Sequence, residues 1–360
     1  MSNVARADLL GPLLKSVSRS FFLTLRILPG PMREPVGLAY LLARAADTIA
    51  DTSLVDPTRR LRLLLALRAA VGGDKSASTL AAIGEVADEV AGQQALADEK
   101  RLLESLTAAL TLLEQLAPAD RAAVREIVTT LTTGMEFDLR TFPAEDSGRI
   151  EALREPAELD RYTYLVAGCV GEFWTKMTCA HVPGTFAEPH DAAVARGIRF
   201  GKALQLTNIL RDCPKDLRIG RCYLPSSLLE RHGLTPAALL APEASSRAKP
   251  VLAELMATAL AHYRDALDYA LAIPRSSVRL RLACLWPILI GLETLKLLAE
   301  NEAWLDPGRI SKVRRNDVYR LIAGSTAAVC FDGLLRRWIE GLMREVQARL
   351  GSEAGAAAVA

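Results

Sequence analysis

The chain has 360 residues, half of them hydrophobic, with 44 Lys and Arg against 42 Asp and Glu and a formal charge of +2. So even a balance excludes a bulk electrostatic pull on nucleic acid or a membrane surface. Leu and Ala dominate and no alternating strand pattern with hairpin turns is present, so the chain reads as all-α, as one large domain or two ordinary ones. Cys169, Cys179, Cys213, Cys222, Cys284 and Cys330 form no Cys-x-x-Cys and read as reduced thiols. The four histidines show no zinc spacing. Arg6 and Asp8 break the early residues, so no secretory signal is expected and a cytoplasmic location follows. The longest apolar stretch, Leu282 to Leu292, is shorter than the roughly 20 residues a bilayer needs. It reads as a core helix, and any membrane contact as peripheral.

Taken in order, Ser16 to Phe22 opens the first helical segment, which ends near the breaker Pro29-Gly30-Pro31. Ser18 and Ser20 flank Arg19 and could cap a helix or hold a phosphate. Phe21 and Phe22 could be core or cavity wall. Glu34 to Asp51 is a helix on which Tyr40, Arg44, Asp47 and Asp51 share one face. Thr52 to Thr58 is a loop, Arg59 to Val71 an amphipathic helix, and Leu80 to Leu116 further helix interrupted near Gln93 and Gln94. Pro118 starts a helix to about Phe142, and Pro143 to Pro156 reads as an exposed loop. Leu159 to Met177 carries Tyr162, Tyr164, Gly168 and Gly171. Each glycine costs about 1 kcal/mol against Ala inside a helix, so close packing or room for a bulky ligand is expected there.

The helix from Ala192 carries the densest pattern. Ala203, Leu206, Ile209 and Leu210 make an apolar face, while Gln205, Asn208, Asp212 and Asp216 recur at three and four residues beside it. Two carboxylates one turn apart, at about 6 Å, repel by roughly 3 kcal/mol at an effective dielectric near 20. A divalent cation relieves this, and magnesium takes one or two carboxylates plus phosphate oxygens. Arg211, Lys215, Arg218 and Arg221 surround these acids, and Arg44 precedes the first pair. Acids for metal with bases for phosphate describe a metal–diphosphate site shared by two helices. Gly220 to Pro225 reads as a turn that folds back on the acids. Gly233 to Pro250 is the best linker candidate or only a join between two helices, Val251 to Ala272 a helix with Asp265 and Asp268 on its solvated side, and Leu280 to Ala299 the most apolar helix. The basic cluster Arg309 to Arg315 is a solvated helix start or a phosphate contact, and Gly351 to Ala360 reads as a disordered tail.

Asp47-Thr48-Ile49-Ala50-Asp51, and Gln205 to Asp216 with Gly220-Arg221-Cys222-Tyr223-Leu224-Pro225, resemble the two aspartate signatures of the squalene/phytoene synthase family. Ser18-Arg19-Ser20-Phe21, and Tyr162-x-Tyr164-x-Val166-Ala167-Gly168-x-Val170-Gly171, resemble two further family motifs in the same order. The similarity covers roughly Ser16 to Ala299, and Gly171 to Trp174 with Lys312 to Arg315 look closest to bacterial squalene synthases. The resemblance implies one isoprenoid-synthase domain over residues 1–360, ordered from about 10 to 350, as a helical bundle around a central cavity. It implies head-to-head joining of two allylic diphosphates through a cyclopropyl intermediate, which for a squalene synthase means two farnesyl diphosphates and then reduction by NADPH. The alternatives are a phytoene or dehydrosqualene synthase, or one that stops at presqualene diphosphate or hydroxysqualene.

On that resemblance Asp47, Asp51, Asp212 and Asp216 hold Mg²⁺, with Mn²⁺ as a substitute. Arg44, Arg211, Lys215 and Arg221 bind diphosphate, aided by Ser18, Ser20 and Tyr40. Gln205 and Asn208 orient the metal shell, and Phe21, Phe22, Tyr162 and Tyr164 line the cavity. Lys312, Arg314 and Arg315 are the NADPH candidates. Two departures stand out. Ala50 and Thr52 occupy places where many members carry further acids. Leu165 stands where eukaryotic squalene synthases have Tyr, which leaves Tyr164 as the candidate for proton handling. Nucleic acid is not an expected partner, and the oligomeric state and C30 or C40 product are open.

Overall fold

A computed structural model describes residues 3–18, 22–52, 55–145, 147–241 and 243–357. Most of them are helical. The chain divides into two compact units, Met1–Arg140 with Lys176–Pro183, and Thr141–Thr175 with Gly184–Ala360.

In the first unit, irregular helical turns from Asn3 to Ser18 and a short helix Phe22–Ile27 precede α1 (Gly30–Asp51). Pro31 lies in the first turn of α1, where a missing N–H costs nothing. Thus Pro29-Gly30-Pro31 ends one segment and starts the next. Leu38, Leu41, Leu42, Ala45 and Ile49 bury one face of α1. α2 (Pro57–Gly72) starts at Asp56, whose carboxylate accepts from the Arg59 amide, and ends at Gly73 in the left-handed region. Short helices between Ala77 and Gln115 lead to α3 (Pro118–Thr141), with Val124, Ile127, Val128 and Leu131 on its buried stripe.

In the second unit, the segment expected as an exposed loop is partly structured. β1 (Glu151–Ala152) pairs in parallel with β2 (Arg221–Cys222), Glu151 opposite Arg221. Gly220 permits this: its φ is 82°, and a Cβ there would lie 2.5 Å from the Arg149 carbonyl. A helix Pro156–Thr163 and a π-helical turn Tyr164–Gly168 lead into α4 (Cys169–His181), whose residues to Thr175 belong here. α5 (His190–Arg218) is the longest helix of the unit and packs on α6 (Lys249–Ala272).

The glycines of the Tyr164–Gly168 turn and α4 have a packing reason. A Cβ on Gly171 would lie 1.8 Å from the Gly197 carbonyl oxygen, and one on Gly201 2.1 Å from that of Ala167. Backbone meets backbone across this crossing, so the space is filled by α5 and not by a ligand.

α7 (Val278–Glu300) is longer than its apolar run implied and long enough to span a bilayer, but 67% of its most apolar window is buried inside the protein. It is packed by α5, α6, α8 (Arg315–Ala328) and α9 (Asp332–Ala357). Each fully buried Leu on it contributes about 1.5–3 kcal/mol.

Residues 233–250, the linker candidate, mark no boundary between units. They are a packed connection, in which the Trp304 indole N–H donates to the Ser245 carbonyl (3.2 Å) and the Leu305 amide to the Ser245 hydroxyl (3.1 Å). Asp265 and Asp268 keep partly exposed side chains and pair with Arg199 and Arg336. α9 continues to Ala357, through most of the small-residue tail.

Candidate active site

The two acidic edges belong to different units. In the first, Asp47 and Asp51 lie one turn apart near the end of α1. Arg44 Nη1 donates to Asp47, and its Nη2 donates to Glu99 Oε1 at 2.7 Å. Thr48 donates back to the Arg44 carbonyl at 3.0 Å. From α2, the buried Arg60 donates to the Ala50 carbonyl at 3.2 Å and holds the last turn of α1, the turn that ends in Asp51. The Tyr40 hydroxyl approaches the Val17 carbonyl at 3.4 Å.

Burial pushes the Asp47 carboxyl up, the Asp51 charge adds to it, and the two outweigh the pull of Arg44 to leave it at about 6. Burial alone would lower Arg44, but the charges of Asp47 and Glu99 reverse that and raise it. A half-buried Asp47 and an exposed Asp51, one turn apart and repelling each other, are a pair of hard oxygen donors that fits magnesium.

At the other edge, Asp212 and Asp216 lie one turn apart near the end of α5. Arg211 grips Asp212 with both prongs, Nε to Oδ1 at 2.9 Å and Nη2 to Oδ2 at 2.6 Å, and this bond raises the guanidinium's pKa. Lys215 is exposed. Arg218 turns back to the Pro214 carbonyl at 2.6 Å. Arg221, on β2, is mostly buried and lies 3.5 Å from Glu145. Gln205 and Asn208 are half-buried further up α5.

Burial pushes the flanking Cys222 thiol up to about 12, and Cys213 well above its ordinary value, so neither is a nucleophile. Among the described residues no three His, Cys, Asp or Glu side chains converge as a closed metal cage. A metal held by one pair would therefore fill its remaining positions from water or phosphate oxygens.

The other candidates separate. Ser18 is buried and donates to the Leu14 carbonyl, so its hydroxyl serves its own helix and not a phosphate. Ser20 and Phe21 lie outside the described residues, and Phe22 is half-buried. Tyr162 is core: it stacks on Tyr223 at 4.8 Å, and Phe142 meets Tyr223 edge-on at 5.0 Å. The Tyr164 hydroxyl donates to Glu172 Oε2 at 2.8 Å. Lys312, Arg314 and Arg315 are exposed before and at the start of α8, where Arg315 Nε donates to the Tyr319 hydroxyl at 3.0 Å. By charge they suit a phosphate-bearing ligand.

Sequence reasoning missed Glu99 and Arg60, whose partners lie 55 and 10 residues away. Glu172 had a signal, as the one carboxylate within an otherwise apolar, glycine-containing run.

Residues 14–316 match the squalene/phytoene synthase family model. A presqualene diphosphate synthase of Rhodopseudomonas palustris is 30% identical over 264 residues, 73% of this chain and 78% of that one. A squalene synthase of Eremothecium gossypii is 25% identical over 342 residues, 94% of this chain and 71% of that one. Among solved structures, a ligand complex of TcSQS shares the fold with a TM-score of 0.70 at 21% identity, covering 96% of this chain and 98% of that one. With a family match that spans both acidic helices, the chain belongs to the squalene/phytoene synthase family of prenyl-transferring enzymes.

Proposed function

We propose that the protein is a squalene synthase, condensing two farnesyl diphosphates head to head through presqualene diphosphate and reducing that intermediate with NADPH. The observation that carries this is the pair of acid edges on α1 and α5, each with two aspartates one turn apart and an arginine on the first. Magnesium, when bound, acts as a Lewis acid on the departing diphosphate, and NADPH, when bound, supplies the hydride.

The chain's own residues do the rest. Asp47 and Asp51 on one edge, and Asp212 and Asp216 on the other, are the metal ligands, with Gln205 and Asn208 behind the second pair. Arg211, Lys215 and Arg221 bind diphosphate oxygens, and Arg44 with Tyr40 does so beside the first pair. Apolar helix faces keep water from the carbocation. Tyr164 handles the proton lost on ring closure. Its O–H donates to Glu172, so a proton taken up at the Tyr164 oxygen is matched by passing the tyrosine's own O–H proton to that carboxylate. Lys312, Arg314 and Arg315 take the phosphates of NADPH. The whole chain works as one catalytic domain.

Incubating the protein with farnesyl diphosphate, magnesium and NADPH, then analysing the C30 fraction, tests this. Squalene is the expected product. A second reading, favoured by the 30% identity to a presqualene diphosphate synthase, stops at presqualene diphosphate. Its signature is that intermediate accumulating equally with and without NADPH. A preference for the C20 diphosphate with a C40 product would make the protein a phytoene synthase. The five extra carbons per chain are worth roughly 4 kcal/mol of discrimination.

A further inference from the structure

On both acid edges the first aspartate carries an arginine: Arg44 on Asp47 and Arg211 on Asp212. The two differ in what else holds the guanidinium. Arg44 has a second carboxylate, Glu99, at 2.7 Å, and that partner remains if Asp47 turns elsewhere. Arg211 directs both prongs at Asp212. Both members of the second pair are about one-third exposed, so neither side chain is locked by packing.

A carboxylate whose two oxygens both accept from one guanidinium has its best lone pairs occupied. It cannot at the same time present them to a cation. Arginine is also the side chain best shaped to grip diphosphate oxygens in the same bidentate way. We propose that Arg211 is an exchange latch: its two-pronged grip on Asp212 passes to the diphosphate when that carboxylate takes its metal, so that metal and diphosphate bind cooperatively at this edge. Arg44 keeps Glu99 as its anchor, so it meets diphosphate oxygens beside the first pair without leaving its place. The proposal rests on the metal–diphosphate reading above and adds to it which residue moves and what that movement couples.

Linkage makes the coupling reciprocal: whatever factor diphosphate adds to magnesium affinity, magnesium adds to diphosphate affinity. The test is calorimetric titration of Mg²⁺ into the full chain, alone and with saturating inorganic pyrophosphate, needing no turnover. Wild-type protein is expected to bind Mg²⁺ weakly alone and at least about tenfold more tightly with pyrophosphate. Arg211→Gln uncovers Asp212. Its affinity for Mg²⁺ alone should rise roughly twofold to fivefold, the range an exposed pair supports, and its gain from pyrophosphate should shrink. Arg218→Gln removes the same charge close to Asp216, from a residue that donates to the Pro214 carbonyl, and should move neither number as far.

If Arg211→Gln binds Mg²⁺ no better than wild type, or Arg218→Gln binds it equally better, the latch is wrong and the metal–diphosphate reading still stands. If wild-type protein takes up no Mg²⁺ even with pyrophosphate, the parent reading itself is wrong.

Discussion

The contact between Gly171 and Gly197 makes a prediction whose sign separates two views of a helical glycine. Judged by helix propensity alone, Gly171→Ala should stabilise the protein by about 1 kcal/mol. The structure says the reverse. A Cβ at Gly171 would stand 1.8 Å from the Gly197 carbonyl oxygen and 2.5 Å from its carbon, where ordinary contact begins at 3.4 Å, so the backbones must part by about 1.6 Å (3.4 against 1.8). Neither side is a flexible side-chain tip that can swing away. Parting them also opens the neighbouring contacts at Gly201 and at Thr175, whose hydroxyl would lie 2.4 Å from a Cβ on Gly197.

Overpacking a filled interface typically costs 1–3 kcal/mol and occasionally more. With backbone on both sides we place this case at the upper end, so that about 2 kcal/mol of destabilisation remains after the propensity gain. Urea unfolding followed by circular dichroism reads it as a lower midpoint with an unchanged slope. A midpoint equal to or above that of wild type would show that α4 and α5 do not meet at these glycines.

Other predictions follow from single contacts. Arg281 is fully buried, and its charge is met by Asp332, which also pairs with Arg275 at 2.7 Å. Asp332→Asn leaves that guanidinium uncompensated and should cost about 3 kcal/mol by urea unfolding, whereas Arg281→Met, which removes two unsatisfied donors, should cost less. The reverse order would mean that Arg281 is not buried as described. His262 is held below its ordinary 6.5 by burial first and then by Lys202, with Arg199 acting the same way and Asp160 and Asp265 opposing. A histidine depressed in the fold contributes stability above pH 6.5 that is lost as pH falls through the lower folded value. His262→Gln should therefore flatten the stability curve below pH 6.5, and an unchanged acid slope would remove His262 as a cause.

How much was legible in the sequence depended on the range of the interaction. The acid pairs were visible because three- and four-residue spacing fixes a helical face before anything else is known. Pro118 as a helix start and the break at Pro29-Gly30-Pro31 follow from local backbone chemistry, whereas α1 starts at Gly30, a turn before the expected Glu34. Partners set by tertiary contact were not visible: Glu99 for Arg44, Arg60 at the end of α1, and β2 for residues 151–152. The alternatives for Gly168 and Gly171 could be written down but not decided, since the backbone that fills their space comes from Gly197 and Ile198. Tyr162 and Ser18 looked like site residues by motif, and their hydrogen-bonding and stacking partners assign them to packing. For Gly233 to Pro250, composition resembled a linker, while the buried Leu239, Ala244 and Ser245 make it part of the core.

The measurement that bears most directly on the central claim is condensation with NADPH withheld, which isolates the step the aspartates are assigned to. Wild-type protein, Asp47→Asn and Asp212→Asn are each incubated with farnesyl diphosphate and magnesium, and presqualene diphosphate and released pyrophosphate are quantified. Wild type should form both in equal amounts, and each variant should fall at least about 100-fold with its helical circular dichroism unchanged. Condensation at near wild-type rate in either variant would contradict the assignment of that acid edge to catalysis.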